Sequence, residues 1–273
     1  MTNNKRLLSG VSQTLWVPLL SRAQASAQPH TTFHDATAEV VADHLRQQGM
    51  PSRFVPPPLS SVLVARAKHY DQAALNFLKD YPRGQIVQLG CGLDSRFERL
   101  PQNQRGKASQ WWHLDLPEVM ALRRALLRSE QQLTSSVTDF SWLQALDPDR
   151  PTLLQAEGLL MYLSRQEIHR CFIAWCRYFL QAEVVAELTH QWWIPLLRTP
   201  VARQIFQLKM QTQDAVTFQG GLLSPQEPIQ WHRNILYRKH WTYGEAFIPA
   251  PGLWKRMPAL LWTGHYGLGV LSC

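Results

Sequence analysis

The sequence predicts an α/β fold, a mostly parallel doubly wound sheet with helices on both faces. Three observations carry that prediction. Short apolar runs alternate with helical stripes between Gln85 and Leu188, the pattern of strand–helix–strand units. The first of these runs opens into Gly90-Cys91-Gly92, the mark of a strand feeding a tight turn. A chain of 273 residues with 45% hydrophobic and only 18% charged residues can bury a sizeable core. The same composition excludes intrinsic disorder, and no stretch reaches the roughly 18 apolar residues of a membrane helix.

The first eighty residues read as helical. Lys5-Arg6, an apolar stretch from Leu7 to Leu20 and Ala23-Gln24-Ala25 imitate a secretory leader. Gly10, Gln13 and Pro18 interrupt the apolar run, however, and Arg22 sits beside the supposed cut, so a helix of the mature fold is expected. Thr37 to Gln48 carries Val40, Val41, Ala42 and Leu45 at helical spacing, with Gly49 and Pro51 as the stop. Pro56-Pro57-Pro58 predicts a stiff extended connector. From Ser60 to Lys79, Leu63, Ala67, Tyr70, Ala74, Phe77 and Leu78 describe a long helix that ends at Tyr81-Pro82-Arg83-Gly84.

Strands are then expected at Gln85–Leu89, Gln110–Leu116, Leu133–Val137, Thr152–Ala156 and Val184–Leu188. Pro117 suits the first position of a helix over Pro117–Leu127. Ser164, with Glu167 three residues on, is a capping box for a helix reaching Phe179. Beyond His190 a helix over Leu196–Gln213 and a closing strand over His265–Leu271 are expected. Between them prolines at 225, 228, 249, 251 and 258 defeat any assignment. Six of the eleven tryptophans fall from Trp192 onward, a density that reads as packing, with an aromatic substrate wall as the alternative.

The formal charge is +8, which suits an anionic partner, but the cations are scattered. Arg123, Arg124 and Arg128 read as the solvated face of one helix rather than a nucleic-acid patch. Four cysteines without a C-x-x-C pair read as reduced thiols of a cytoplasmic protein. Ten histidines form no H-E-x-x-H pattern, so no metal is expected.

A strand ending in Gly-x-Gly lets backbone approach a ligand unobstructed. Dinucleotide sites add a third glycine, which Gly90-Cys91-Gly92-Leu93-Asp94-Ser95 lacks, and Asp94 would repel a pyrophosphate. S-adenosylmethionine, which carries no phosphate, escapes both objections. Asp115 at the end of the second strand can accept both ribose hydroxyls. Asp139-Phe140 can offer an acceptor and an apolar contact to adenine, and Glu157 ends the fourth strand over the same pocket. As alternatives, Asp94 and Asp139 could cap the helices that follow them.

Val87-Gln88-Leu89-Gly90-Cys91-Gly92-Leu93-Asp94-Ser95-Arg96, Asp115-Leu116-Pro117-Glu118 and Glu157-Gly158-Leu159-Leu160-Met161-Tyr162-Leu163 together resemble the leucine carboxyl methyltransferase family. Its bacterial branch includes the O-methyltransferases of polyketide biosynthesis. Val11-Ser12-Gln13-Thr14, Ser21-Arg22-Ala23 and Arg66 ahead of Asp71 are similar to that branch too. The resemblance implies a seven-stranded Rossmann-like class I fold and S-adenosyl-L-methionine as cofactor. By position it implies that Arg66 holds the methionine carboxylate, Gly90 and Gly92 form the cofactor loop, Asp115 takes the ribose, Asp139 and Phe140 the adenine, and Glu157 the methionine amino group. Tyr162 matches a tyrosine between cofactor and acceptor. Cys91, Ser95 and Ser141 depart from the usual alanine, threonine and arginine, which leaves the acceptor open.

One methyltransferase domain over 1–273 is therefore expected. Residues 1–80 form a helical cap, 85–190 the cofactor-binding core, and 191–273 the substrate-side, sheet-closing segment. The expected activity is methyl transfer to a carboxylate or hydroxyl of a small molecule, with Tyr162 as the catalytic contact. An RNA- or protein-carboxyl methyltransferase and a non-catalytic cofactor binder are the alternatives.

Overall fold

The computed structural model describes residues 8–47, 55–105, 109–127, 131–210, 212–241 and 268–272. Its sheet has five parallel strands: β1 (Gln85–Leu89), β2 (Gln110–Asp115), β3 (Gln131–Thr134), β4 (Thr152–Ala156) and β5 (Ala182–Glu187). β6 (Leu236–Trp241) and β7 (Leu268–Ser272) join antiparallel, which gives the order β3-β2-β1-β4-β5-β7-β6. Every residue of β1 and β4 is buried, as strands covered on both faces require. Winding reverses between β1 and β4, and a cleft opens beyond the carboxyl ends of strands at such a switch point.

Helices cover both faces, joined by the single turn α4 (Arg96–Arg99) after β1 and by α5 (Pro117–Leu126) after β2. On one face, α3 (Pro57–Asp80) lays Tyr70, Ala74, Phe77 and Leu78 against Ile86, Trp111, Leu153 and Val185. On the other, α6 (Arg165–Tyr178) packs Ile168, Phe172 and Trp175 against Leu154, Val184 and Ala186. The Ser164–Glu167 capping box closes both reciprocal bonds at the start of α6, as the sequence predicts. α1 (Trp16–Ser26) and α2 (Ala36–Gln47) form a third cluster with Leu63 of α3 and reach Leu93 and Val119. The leader-like segment is thus core: Val17 and Leu19 are fully buried. No described helix is long and apolar enough to cross a membrane.

Several local expectations shift. Pro57 and Pro58 are not a connector but the first turn of α3, where a missing N–H leaves no bond unmade. The third strand begins earlier than Leu133, because pairing with Trp112–Asp115 sets its register. The helix expected over Leu196–Gln213 divides at Thr199 into α7 (Trp193–Leu197) and α8 (Pro200–Met210), since Pro200 cannot continue α7. β6 escaped detection because a sheet-edge strand bearing Arg238, Lys239 and His240 lacks an apolar run. Cys91 and Cys171 are free buried thiols, whereas Cys176 enters a disulfide, against the reading of reduced thiols throughout. The Gly49 and Pro51 stop and Arg128 lie outside the described residues.

Candidate active site

Gly90 and Gly92 carry the chain from β1 into the cleft with φ of +62° and +52°. This is the left-handed region that glycine enters at least strain. A Cβ on Gly90 would also come within 3.0 Å of Leu159 Cδ1. The Cys91 N–H donates to Leu114 O (3.1 Å), so the loop begins as a continuation of the β1–β2 pairing. Asp115, closing β2, accepts from the Gly92 N–H at Oδ2 and the Leu116 N–H at Oδ1, both at 2.7 Å. Each oxygen keeps a lone pair for a further donor. Burial raises the Asp115 carboxyl above its usual value, and those two N–H bonds oppose the rise.

The loop borders a cavity of about 640 Å³ whose lining includes Gly90, Gly92, Asp94, Asp115, Glu157 and Tyr162. The same cavity is lined by the apolar Val11, Leu15, Met161, Phe206 and Phe218. The Tyr162 ring stacks on Phe218 at 5.7 Å. Burial pushes its hydroxyl up to about 12, against a hydrogen bond with Thr14. No histidine is among the described residues that line this space, and no described group of three His, Cys, Asp or Glu is placed to hold a metal.

Arg66, on α3, is no surface residue: it is 7% exposed. Its Nε donates to Glu157 and its Nη1 to Glu187, each at 3.0 Å. Arg96 joins Glu157 (2.6 Å) to Asp71 (2.8 Å) and Asp94 (2.9 Å). Arg99 adds Asp71, Asp94 and Asp35. Burial alone would raise the Asp94 carboxyl, but Arg96, Arg99 and Arg22 overcome it and hold the group well below the usual carboxylate range. Asp94 therefore lines the cavity as one member of an ion network rather than as a helix cap.

Asp139 and Phe140 do not reach the cavity lining, where Ser135, Ser136 and Val137 stand instead. Asp139 is exposed and caps the short helical turn Phe140–Ala145, accepting from Ser141 N, which is the alternative its sequence left open. Phe140 packs against the core beside Trp142, with the Arg170 guanidinium over its ring. Burial raises the Cys91 thiol, and its Sγ lies 3.8 Å from Met120 Sδ, consistent with loop filler. Arg123, read as solvent-facing, is fully buried on α5 (Pro117–Leu126). It donates to Gly92 O and Asp94 O. Arg22 holds the carbonyl between them, Leu93 O, at 2.7 Å.

The leucine carboxyl methyltransferase family matches residues 16–175, more than half of the chain. The chain belongs to this family. It is an S-adenosylmethionine-dependent methyltransferase. The tetracenomycin polyketide synthesis O-methyltransferase TcmP of Streptomyces glaucescens is 26% identical over 94% of this chain and 90% of its own length. The S-adenosyl-L-methionine-dependent methyltransferase dpfgK of Gibberella zeae is 30% identical, with 62% of this chain and 61% of that protein aligned. Among solved structures, a Thermobifida fusca YX protein classed with methyltransferases superposes with a TM-score of 0.58 at 13% identity, covering 98% of this chain and 96% of the other. A DUF574 family protein of Streptomyces avermitilis gives 0.57 at 11%, covering 97% of each. At those identities the two structures establish the Rossmann-like fold.

Proposed function

We propose that this family member methylates an oxygen, with a carboxylate favoured, on a small and largely apolar acceptor. The carrying observation is the cavity of about 640 Å³, whose lining combines the acids Asp115 and Glu157 with apolar residues such as Phe206 and Phe218. Its size is that of an ordinary small-molecule site. In this reading the two antiparallel strands complete the seven-stranded sheet of a class I methyltransferase. The chain works as one domain, with 1–80 as cap, 85–190 as cofactor core and 191–273 as substrate side.

The residues at the loop suit S-adenosylmethionine. The Cβ-free backbone of Gly90 and Gly92 gives the adenosine a close approach, and the two unused lone pairs of Asp115 suit its ribose hydroxyls. Glu157 and Arg66 would meet the amino and carboxylate ends of the methionine. Asp139 and Phe140, outside the lining, are left out of the adenine seat, and the Ser135–Val137 backbone takes their place. When bound, the cofactor supplies an activated sulfonium methyl. Everything else falls to alignment and exclusion of water. Tyr162, protonated at neutral pH, would orient the acceptor oxygen by exchanging its hydrogen bond with Thr14 for one donated to the acceptor. Glu157 and Glu187 are committed to Arg66, and the described lining offers no histidine as a general base. A carboxylate, already anionic, needs none. Lys209 at the lining adds a cation that attracts it.

Incubation with methyl-labelled S-adenosylmethionine and a panel of aromatic and aliphatic carboxylic acids and phenols tests this. Label released by mild base marks a methyl ester. Base-stable label, confined to phenols, would overturn the carboxylate assignment.

A further inference from the structure

The three carbonyls of Gly92, Leu93 and Asp94 are gripped by two buried guanidinium groups that arrive from different parts of the fold. Arg22 comes from α1, and its Nε is fixed by Asp35 at 3.0 Å. Arg123 comes from α5: its Nη1 lies 3.1 Å from Gly92 O and 2.7 Å from Asp94 O. Its Nη2 lies 3.1 Å from His113 Nδ1. Burial and the adjacent Arg123 charge hold His113 well below its usual value, so the imidazole is neutral and accepts that N–H.

Gly92 is the joint of this arrangement. Its carbonyl is held by Arg123, while its N–H donates to Asp115 Oδ2. His113 and Asp115 lie two residues apart on β2. A closed path therefore runs from β2 through His113, Arg123 and Gly92 back to the carboxylate at the end of the same strand. At a positive φ the plane of Gly92 has no side chain to pack it in place, and Arg123 supplies that constraint from outside.

We propose that Arg123 is a positioning residue for the ribose acid: through Gly92 it fixes the rotation of the Asp115 carboxylate and so the direction of its two free lone pairs. The inference rests on the assignment of the ribose to Asp115 made above. It differs from a packing role in what it alters. A misdirected carboxylate loses its preference for ribose hydroxyls, whereas a loosened core weakens all ligands alike.

The test compares S-adenosylhomocysteine with its 2′-deoxy and 3′-deoxy analogues by titration calorimetry on wild type, Arg123→Lys and Arg123→Gln. Removing one hydroxyl should weaken wild-type binding about tenfold, the size of one hydrogen bond to a charged group. In either variant, with folding checked by circular dichroism, that penalty should shrink to about threefold or less. Should neither variant fold, His113→Leu removes the acceptor for Nη2 and should shrink the penalty in the same direction. A penalty that stays at the wild-type value in folded variants overturns the positioning role and leaves the cofactor assignment standing. Wild-type protein that binds the deoxy analogues as tightly as the parent, or does not bind S-adenosylhomocysteine itself, overturns the ribose assignment and this inference with it.

Discussion

Both oxygens of Asp115 already accept a backbone N–H, so a ribose would complete the set rather than create it. Charge-assisted bonds of this kind should make Asp115→Ala weaken S-adenosylhomocysteine binding by about 2–4 kcal/mol. Hydroxyl donors favour the ionised carboxylate, so affinity is full above the free-state value and falls as pH drops through it. Because burial raises that value, the loss should begin above the pH of about 3.9 where a free aspartate titrates. A titration series across pH whose midpoint lies at or below that point would place the ribose elsewhere. Under the proposed role, in which Tyr162 contacts the acceptor and not the cofactor, Tyr162→Phe should leave cofactor affinity nearly unchanged and lower turnover. With the hydroxyl pushed up to about 12, the pH–rate profile should carry no tyrosine limb between about pH 7 and 10. Single-turnover rates for both proteins check this. The place of Gly90, Asp115 and Glu157 at the cavity was legible because strand ends and turn glycines leave a pattern in one dimension. Arg123 was not: adjacent arginines on a helix point about 100° apart, so a shared charge says nothing about which one faces in.

Elements were legible where their signals are local. The Ser164–Glu167 box spans three residues, and both of its bonds form. Ser164→Ala should cost about 1 kcal/mol of stability, seen as a lower urea midpoint at unchanged slope. An unchanged midpoint would mean that the α6 start is held by its packing alone. β6 was illegible for the opposite reason: what makes it a strand is β7, whose sequence lies more than twenty residues further on. The proline run misled because proline has two uses, and only the docking of α3 against the sheet decides between them. Asp139 misled in the same way, since an aspartate after a strand serves a ligand or a following turn equally well.

Across the whole molecule, the network of Arg22, Arg96 and Arg99 with Asp35, Asp71 and Asp94 joins the cap to the cofactor loop. A carboxyl held below its unfolded value stabilises the fold above that value, and the gain is lost as pH falls through the folded one. With Asp94 depressed, the melting temperature should be insensitive to this network above about pH 5 and should decline from about pH 4 downward. Arg99→Ala should destabilise by about 3–5 kcal/mol at neutral pH, since it strands buried carboxylates without a partner. Thermal unfolding of the variant that matches wild type would remove the network from the stability of the fold. None of this was visible as a network in the sequence, where the six residues read as separate charges.

The segment before α1 is tied to a distant part of the chain: Gly10 N–H and Gln13 Nε2 both donate to Asp214, about two hundred positions later. The consequence is temporal. At a synthesis rate of roughly 5–20 residues per second, Gly10 and Gln13 leave the ribosome roughly 10–40 s before their anchor does. During that interval Val11 and Leu15 can pack locally but have no Asp214 to fasten to. Contacts of such separation also close slowly in a refolding chain. The Asp214 tie is thus made only after the Gly90–Gly92 loop has left the ribosome, and the sheet closes later still, when β7 arrives to pair with β5.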